Sequence, residues 1–242
     1  SPSPIQADAL REVLLRLHED DQNSEARQIR AWVFERWREL LRAQDQIAPA
    51  LNLANQGETL LRRLADPLLA SADADQNTGA SLISDRQHLE QLQQTAARCE
   101  SLGDVTAGGF DALADSLNAA DAYFRGWALW PKIEELQKRA VEALRKRLQD
   151  ATREAEAALD VGPPEGGLAS AASARALTRH AKWADALAPE LTALGEVETR
   201  LQQKIEQTRA ERARAEAQAA SAKAAAQRVD DLISALQAGN PA

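Results

Sequence analysis

The sequence predicts an all-α protein, and three observations lead to that fold class. Alanine, the strongest helix former, makes up about a fifth of the 242 residues, well above its usual share. Glycine and proline are few, and no stretch alternates apolar and polar residues as a strand does. Apolar residues instead recur at steps of three and four, which places them along one face of a helix.

In the first half of the chain, this spacing predicts a bundle of helices separated by polar or glycine-containing breaks. The cluster Asp21-Gln22-Asn23-Ser24 supplies the first break and a helix cap, and residues 71–79 are predicted to form an exposed loop. Gly103 closes one helix and Gly126 another. The predicted helices span residues 5–20, 25–46, 49–66, 81–102 and 109–124.

The second half begins with a helix that has Pro131 in its first turn and continues to Leu159. Residues 162–167 contain three glycines and two prolines, a composition that predicts a hinge instead of a helix. Another helix is expected over residues 168–187, and Pro189 either starts the last helix or kinks a continuous one. We therefore expect an N-terminal bundle over residues 1–126 and a long-helix region over residues 127–242.

The longest regular pattern lies in the last helix. From Leu191 to Leu236 the steps of three and four residues between seam positions alternate regularly, as in a coiled coil. Such a helix extends about 70 Å. The seam is aliphatic at both ends and alanine-rich in the middle, and Glu198, Thr208 and Arg212 interrupt it with polar side chains. We expect it to fold against the helix that ends at residue 159, as a long antiparallel coiled-coil hairpin in an elongated protein. A second chain is the alternative partner.

Charge and composition exclude several functional classes. The net charge of −8 and a sequence pI near 5.1 argue against nonspecific binding of nucleic acid by the whole chain. No apolar run is long enough for a membrane span. The single cysteine cannot form an internal disulfide and fits a reducing compartment, so we expect a cytoplasmic location. The absence of methionine indicates a segment of a longer or processed protein, and the preference for arginine over lysine indicates a bacterial source.

The sequence also lacks the motifs that carry common catalytic chemistry. It contains no GxxxxGK[ST] phosphate loop, HExxH zinc motif, GxSxG elbow or paired CxxC. His18, His88 and His180 stand alone, without the local spacing of a metal site. Cys99 lies on an apolar helix face, as a small buried residue does. We expect no catalytic residue, no cofactor and no metal ion, and hence no enzyme activity in this segment.

The tryptophans are the better candidates for a functional surface. Trp32 and Trp37 point in different directions on one helix, and Trp37 has Arg38 beside it, a combination that is common in protein interfaces. Trp127 and Trp130 both lie between the break at Gly126 and the helix that begins near Pro131. These residues form the predicted protein interface: Trp32, Trp37, Arg38, Trp127 and Trp130. The alternative is structural, with the first pair buried on two neighbouring helices and the second pair closing the end of the bundle. Trp32 and Trp127 each lie at the start of an arginine-bearing helix, and this arrangement of helices headed by an aromatic residue resembles spectrin-like repeats. We infer no function from the resemblance.

We therefore expect a noncatalytic helical scaffold or adaptor that binds another protein or itself through its helices, as a monomer or a homodimer. Two alternatives are of different kinds. One is a coiled-coil arm of a larger ATPase machine, similar to SMC proteins, that acts on nucleic acid. The other is an exported helical sensor or a secretion adaptor.

Overall fold

The computed structural model describes residues 4–17, 24–68 and 75–239, and every regular element within these ranges is a helix. The all-α fold class is confirmed. The helices are α1 (Pro4–Leu17), α2 (Ser24–Arg42), α3 (Ile47–Leu68), α4 (Asp75–Glu100), α5 (Ala107–Tyr123), α6 (Trp130–Asp160), α7 (Pro164–Ala176), α8 (Ala181–Ala186) and α9 (Ala188–Ala238). A short 3₁₀ turn, Leu102–Asp104, joins α4 to α5.

The chain divides into two compact units. The first comprises Ser1–Arg145 and Leu177–Ala186, and the second comprises Lys146–Ala176 and Leu187–Ala242. The boundary predicted at Gly126 lies inside the first unit, because Ile133, Leu136, Ala140 and Leu144 of α6 are buried there. The division instead falls inside α6.

Two fully buried tryptophans anchor the core of the first unit. In this unit α3 packs on α4, α4 on α5, and α2 against both α3 and α4. The indole N–H of Trp37 in α2 donates to the carbonyl of Leu53 in α3 at 2.9 Å. The indole N–H of Trp183 in α8 donates to the carbonyl of Phe110 in α5 at 3.1 Å. A buried indole N–H needs an acceptor, so each tryptophan both fills the core and fixes the neighbouring helix.

The break predicted at Gly126 is confirmed. Gly126 has φ +86°, a left-handed conformation that glycine adopts without the steric cost of a Cβ atom. After this turn, the N–H of Ala128 donates to the carbonyl of Arg42, the last residue of α2, at 2.9 Å. The glycine therefore lets the chain reverse and tie the start of α6 to the end of α2.

The second unit differs from the predicted hairpin in the direction of its helices. Glu156 meets Arg200 at 3.7 Å, and three residues further along α6 the carbonyl of Leu159 accepts from Nζ of Lys204. The two positions advance together, so α6 and α9 run parallel in this unit. The antiparallel partner of α9 is α7, whose Arg175 pairs with Glu198 at 2.6 Å. The helix inserted after Asp160 returns the chain, which leaves α9 to run in the direction of α6.

The segment predicted as a hinge is helical from Pro164 onward. Proline is compatible with the first turn of a helix, where its missing N–H has no intrahelical acceptor. Gly167 is required by close packing, because a Cβ atom there would lie 2.7 Å from Cβ of Ala158 and 3.3 Å from Cδ1 of Leu201. Gly167 therefore lets α7 approach α6 and α9 closely.

Two other helix boundaries differ from the prediction, and a third decides between the two alternatives for Pro189. Residues 75–79, predicted as a loop, are the first residues of α4, whereas residues 71–74 lie outside the described ranges. The helix predicted over residues 168–187 is split into α7 and α8, because Nδ1 of His180 accepts from the N–H of Lys182 and starts a new helix. Pro189 lies in the first turn of α9 and therefore starts that helix.

The contact between α2 and α3 leaves no room for a side chain at Gly57. A Cβ atom at this position would lie 2.6 Å from Nε1 of Trp37 and 2.9 Å from Cδ2 of Leu82. We expect Gly57→Ala to reduce the free energy of unfolding by about 2 kcal/mol, because it overpacks the core and displaces the indole hydrogen bond. Urea denaturation of the full chain measures this change.

Gly108→Ala in the first turn of α5 is the matched control. No atom lies within 4 Å of a Cβ atom there, so the substitution should leave stability unchanged or raise it by at most ~1 kcal/mol. Equal effects of the two substitutions would contradict the packing at Gly57.

Candidate protein-interaction surface

The structure uses four of the five predicted interface residues inside the first unit. Trp37 is 0% exposed in the core described above. Nε of Arg38 forms an ion pair with the Asp85 carboxylate at 2.7 Å. Trp127 is buried and packs edge to face on Phe124 with ring centroids 5.0 Å apart. These contacts hold helices of the same unit together.

Trp130 is partly buried, and its indole N–H donates to the carboxylate of Asp121 at 2.9 Å. This hydrogen bond, together with the neighbouring Arg125, lowers the pKa of Asp121. The carboxylate is therefore held in its charged form by Trp130. Both tryptophans after Gly126 thus make contacts within the first unit.

Trp32 is the predicted interface residue that stays on the surface. Its side chain is 55% exposed, and the guanidinium carbon of Arg36 lies 5.5 Å from the centre of its ring. Ile29, one turn earlier on α2, is 42% exposed. The exposed indole with its stacked arginine is a small surface patch, which one further aliphatic side chain extends.

A buried carboxylate organises the polar side chains between α2, α4 and α5. Asp85 is 1% exposed and binds Arg38 from α2 and the hydroxyl of Tyr123 from α5, the latter at 2.6 Å. The ring of His88 stacks on the ring of Tyr123 at 3.6 Å. The sequence did not reveal this cluster, because its members are distant in the chain and follow no motif.

The geometry of this cluster does not match a nucleophilic relay. Nδ1 of His88 lies 2.8 Å from the backbone carbonyl of Ser84, which can only accept a hydrogen bond. Nδ1 therefore carries a proton and cannot take one from the Ser84 hydroxyl. Burial and the hydrogen bond to Asp85 raise the pKa of Tyr123 to about 12, so this phenol is neutral at physiological pH. Within the described ranges, no group of histidine, cysteine or carboxylate side chains is arranged to hold a metal ion.

The largest exposed helical surface lies in the second half of α9. Leu194, Leu201 and Ile205 of the predicted seam are buried in the second unit. Beyond Thr208 this burial stops, and every side chain whose exposure is described in residues 209–239 is exposed. We call residues 209–239 the free segment; at ~1.5 Å per residue it extends about 45 Å.

The free segment carries a row of apolar side chains near its end. Val229, Leu232, Ile233 and Leu236 are between 48% and 73% exposed. Their spacing of three, one and three residues places them on one helix face. Three of them belong to the predicted coiled-coil seam, whereas Leu232 lies beside that seam and was not included in it. The spacing around Ile233 was the signal for the wider row.

An open apolar groove lies between α7 and α9, just before the free segment begins. It has a volume of about 460 Å³. Its apolar lining comes from Leu168, Ala169, Ala172 and Ile205, and its polar lining from Glu165, Gln202, Glu206 and Arg209. The second unit therefore presents an apolar groove and an apolar helix row on one continuous helix.

No known protein-family model, curated protein or solved structure matches the chain. In the part of the chain that the structure describes, no helix combines the length and apolarity needed to cross a bilayer. The exposed surfaces of the chain are therefore the observations that bear on its function.

The buried phenol gives a prediction that can be read directly, because Tyr123 is the only tyrosine of the chain. With a pKa near 12 in the folded state, Tyr123 should contribute stability at lower pH. That stability is fully present below the unfolded value of ~10 and is lost as the pH rises toward the folded value. Absorbance titration should show little tyrosinate in the folded chain at pH ~10.5 and mostly tyrosinate in the urea-unfolded chain. Tyr123→Phe supplies the baseline, and ionisation at the unfolded value in the folded chain would contradict the buried hydrogen bond.

Removing the free segment should not affect folding. A chain that ends at Thr208 loses no side chain that the structure describes as buried, so its melting temperature should stay within ~2 °C of that of the full chain. Truncation before Leu201 is the contrasting control, because it removes Leu201 and Ile205 from the core and should destabilise the second unit. Calorimetry of the three chains tests this expectation, and a large loss of stability on removing residues 209–242 would show a contact that supports the fold.

Proposed function

We propose that this protein is a noncatalytic helical scaffold or adaptor that binds protein through the free segment of α9. The single observation that carries the proposal is the exposed apolar row Val229, Leu232, Ile233 and Leu236 on a helix without a partner in the described chain. The second unit would then present this segment.

The physical argument is that a solitary helix of this composition is only marginally stable in water. Helices in proteins owe most of their stability to the packing of an apolar face, and the free segment has such a face without a covering element. Its four exposed aliphatic side chains would make the free energy of binding more favourable when a second helix covers them. A binding partner therefore supplies the missing half of a helix pair.

Two further features agree with the proposal. The polar cluster around Asp85 is used to join helices, and Tyr123 is neutral within it, so these groups have a structural role. Cys99 is buried as a free thiol, which agrees with a reducing compartment and hence a cytoplasmic scaffold. The partner is another protein or a second copy of the same chain.

Site-specific photo-crosslinking in cells tests the proposed function. A photoreactive amino acid at Ile233 should form a covalent adduct with a bound protein, because this position is at the centre of the apolar row. Ala224 is the matched control: it is nine residues earlier and on the opposite face of the same helix. We expect an adduct at least about tenfold more abundant at Ile233 than at Ala224.

Crosslinking at neither position, or equally at both, would contradict the proposed function. The mass of an adduct at Ile233 identifies the kind of partner, since a second copy of the chain doubles the mass of 26.3 kDa and a different protein does not.

A further inference from the structure

The free segment has the side-chain pattern of one strand of a two-helix coiled coil. In heptad notation its core positions continue the seam of α9. The a positions are Arg212, Ala219, Ala226 and Ile233, and the d positions are Ala215, Ala222, Val229 and Leu236. On one flank, the e positions are Arg209, Glu216, Lys223 and Asp230.

We propose that the free segment pairs with the free segment of a second copy of this chain, antiparallel and centred between Ala219 and Ala222. This inference rests on the proposed function and names the partner. It commits to one direction and one register, because this arrangement places an opposite charge against each of the four flanking positions.

The e positions decide the register. In an antiparallel pair, e positions face e positions of the other helix. With Ala219 opposite Ala222 of the second copy, Arg209 lies opposite Asp230, and Glu216 lies opposite Lys223. Each pair occurs twice by symmetry, so the assembly gains four pairs of opposite charge and none of like charge along this flank.

The antiparallel registers shifted by one heptad bring like charges together, and a shift by two heptads leaves only two pairs of opposite charge. A shift by one heptad in one direction places Arg209 opposite Lys223 and Glu216 opposite itself. A shift in the other direction places Glu216 opposite Asp230 and Lys223 opposite itself. Like charges that face each other across an interface disfavour it, which leaves the register centred on Ala219 and Ala222.

A parallel pair is disfavoured for the same reason. In a parallel, in-register pair, Arg212 at a core position faces Arg212 of the second copy. Glu211 at a g position then faces Glu216 at the following e position of the other helix, twice by symmetry. The parallel arrangement therefore has repulsion in its core and on its flanks.

The antiparallel register also places the small core residues opposite one another and the large ones at the two ends of the pair. Ala215, Ala219, Ala222 and Ala226 face one another in the central layers, so the two helices approach closely there. At each end, Leu236 of one copy reaches the level of Ile205 of the other. Ile205 lines the apolar groove between α7 and α9, so the exposed leucine of one copy meets the groove of the other.

Disulfide trapping of the purified full-length chain tests direction and register. Ala215 and Ala226 face each other across the two copies in this register. We expect a mixture of the Ala215→Cys and Ala226→Cys variants to form a disulfide-linked dimer of one copy of each. Either variant alone should give less than about a tenth of that amount, because identical positions lie ~16 Å apart along the axis.

The unmodified chain is the control, since its Cys99 is 6% exposed and should stay reduced. A dimer of each variant with itself would show a parallel pair and overturn the proposal. No disulfide in the mixture would overturn it as well.

Charge exchange tests the flanking pairs. Glu216→Lys replaces two attractive pairs by repulsion with Lys223, so the dissociation constant of the dimer should rise about tenfold. The double variant Glu216→Lys with Lys223→Glu restores the opposite charges and should return the constant to within about threefold of the original. Glu211→Lys carries the same change in net charge outside these pairs and should change it by less than about threefold.

Sedimentation equilibrium up to ~100 µM measures these constants, and circular dichroism confirms that each variant remains helical. A chain that stays monomeric over this range overturns the inference. The proposed function is judged separately: an adduct of Ile233 with a different protein would preserve it while this inference fails, and no adduct at all would end both.

Discussion

Large apolar side chains are scarce in this alanine-rich chain, and their positions decide which helix faces are covered. In α9, Leu194, Val197, Leu201 and Ile205 are buried, and the next large aliphatic residue is Val229. Alanine buries too little area to hold a helix against a neighbour on its own. The buried part of α9 therefore ends near Ile205, although the helix continues to Ala238.

The first unit, by contrast, buries many large apolar residues, and some of its buried side chains also form polar contacts. Trp37 and Trp183 each fill the core and donate to a backbone carbonyl of a neighbouring helix. Asp85 connects side chains of two other helices to α4 from a buried position. Directional bonds at such points fix which helices meet and at what level.

The fold class and most helix boundaries could be predicted from the sequence, because they depend on local chemistry. The break at Gly126 follows from the properties of one residue, whereas Pro189 left both a helix start and a kink open. The burial of Cys99 follows from its place on an apolar helix face. The direction of α7 could not be predicted, because a glycine such as Gly167 is equally compatible with a hinge and with a close helix contact.

The exposure of the predicted interface residues could be predicted only in part, because aromatic side chains are equally suited to cores and to surfaces. Trp32 and Trp37 are five residues apart on α2, yet one is 55% exposed and the other is fully buried. Only the positions of α3 and α4 distinguish them. The free segment was visible as a seam in the sequence, but its lack of an internal partner depends on where α7 packs.

The seam of the free segment also explains why charge, and not apolar area, should determine its partner. Four alanines in the centre allow close approach but discriminate poorly between registers, since every alanine layer resembles the next. The e positions supply the missing information with the alternation Arg209, Glu216, Lys223 and Asp230, which is complementary to itself when reversed. A pattern of plus, minus, plus, minus read backward becomes minus, plus, minus, plus. An antiparallel second copy would therefore match every charge at the e positions, and the weak apolar contact would keep the proposed association reversible.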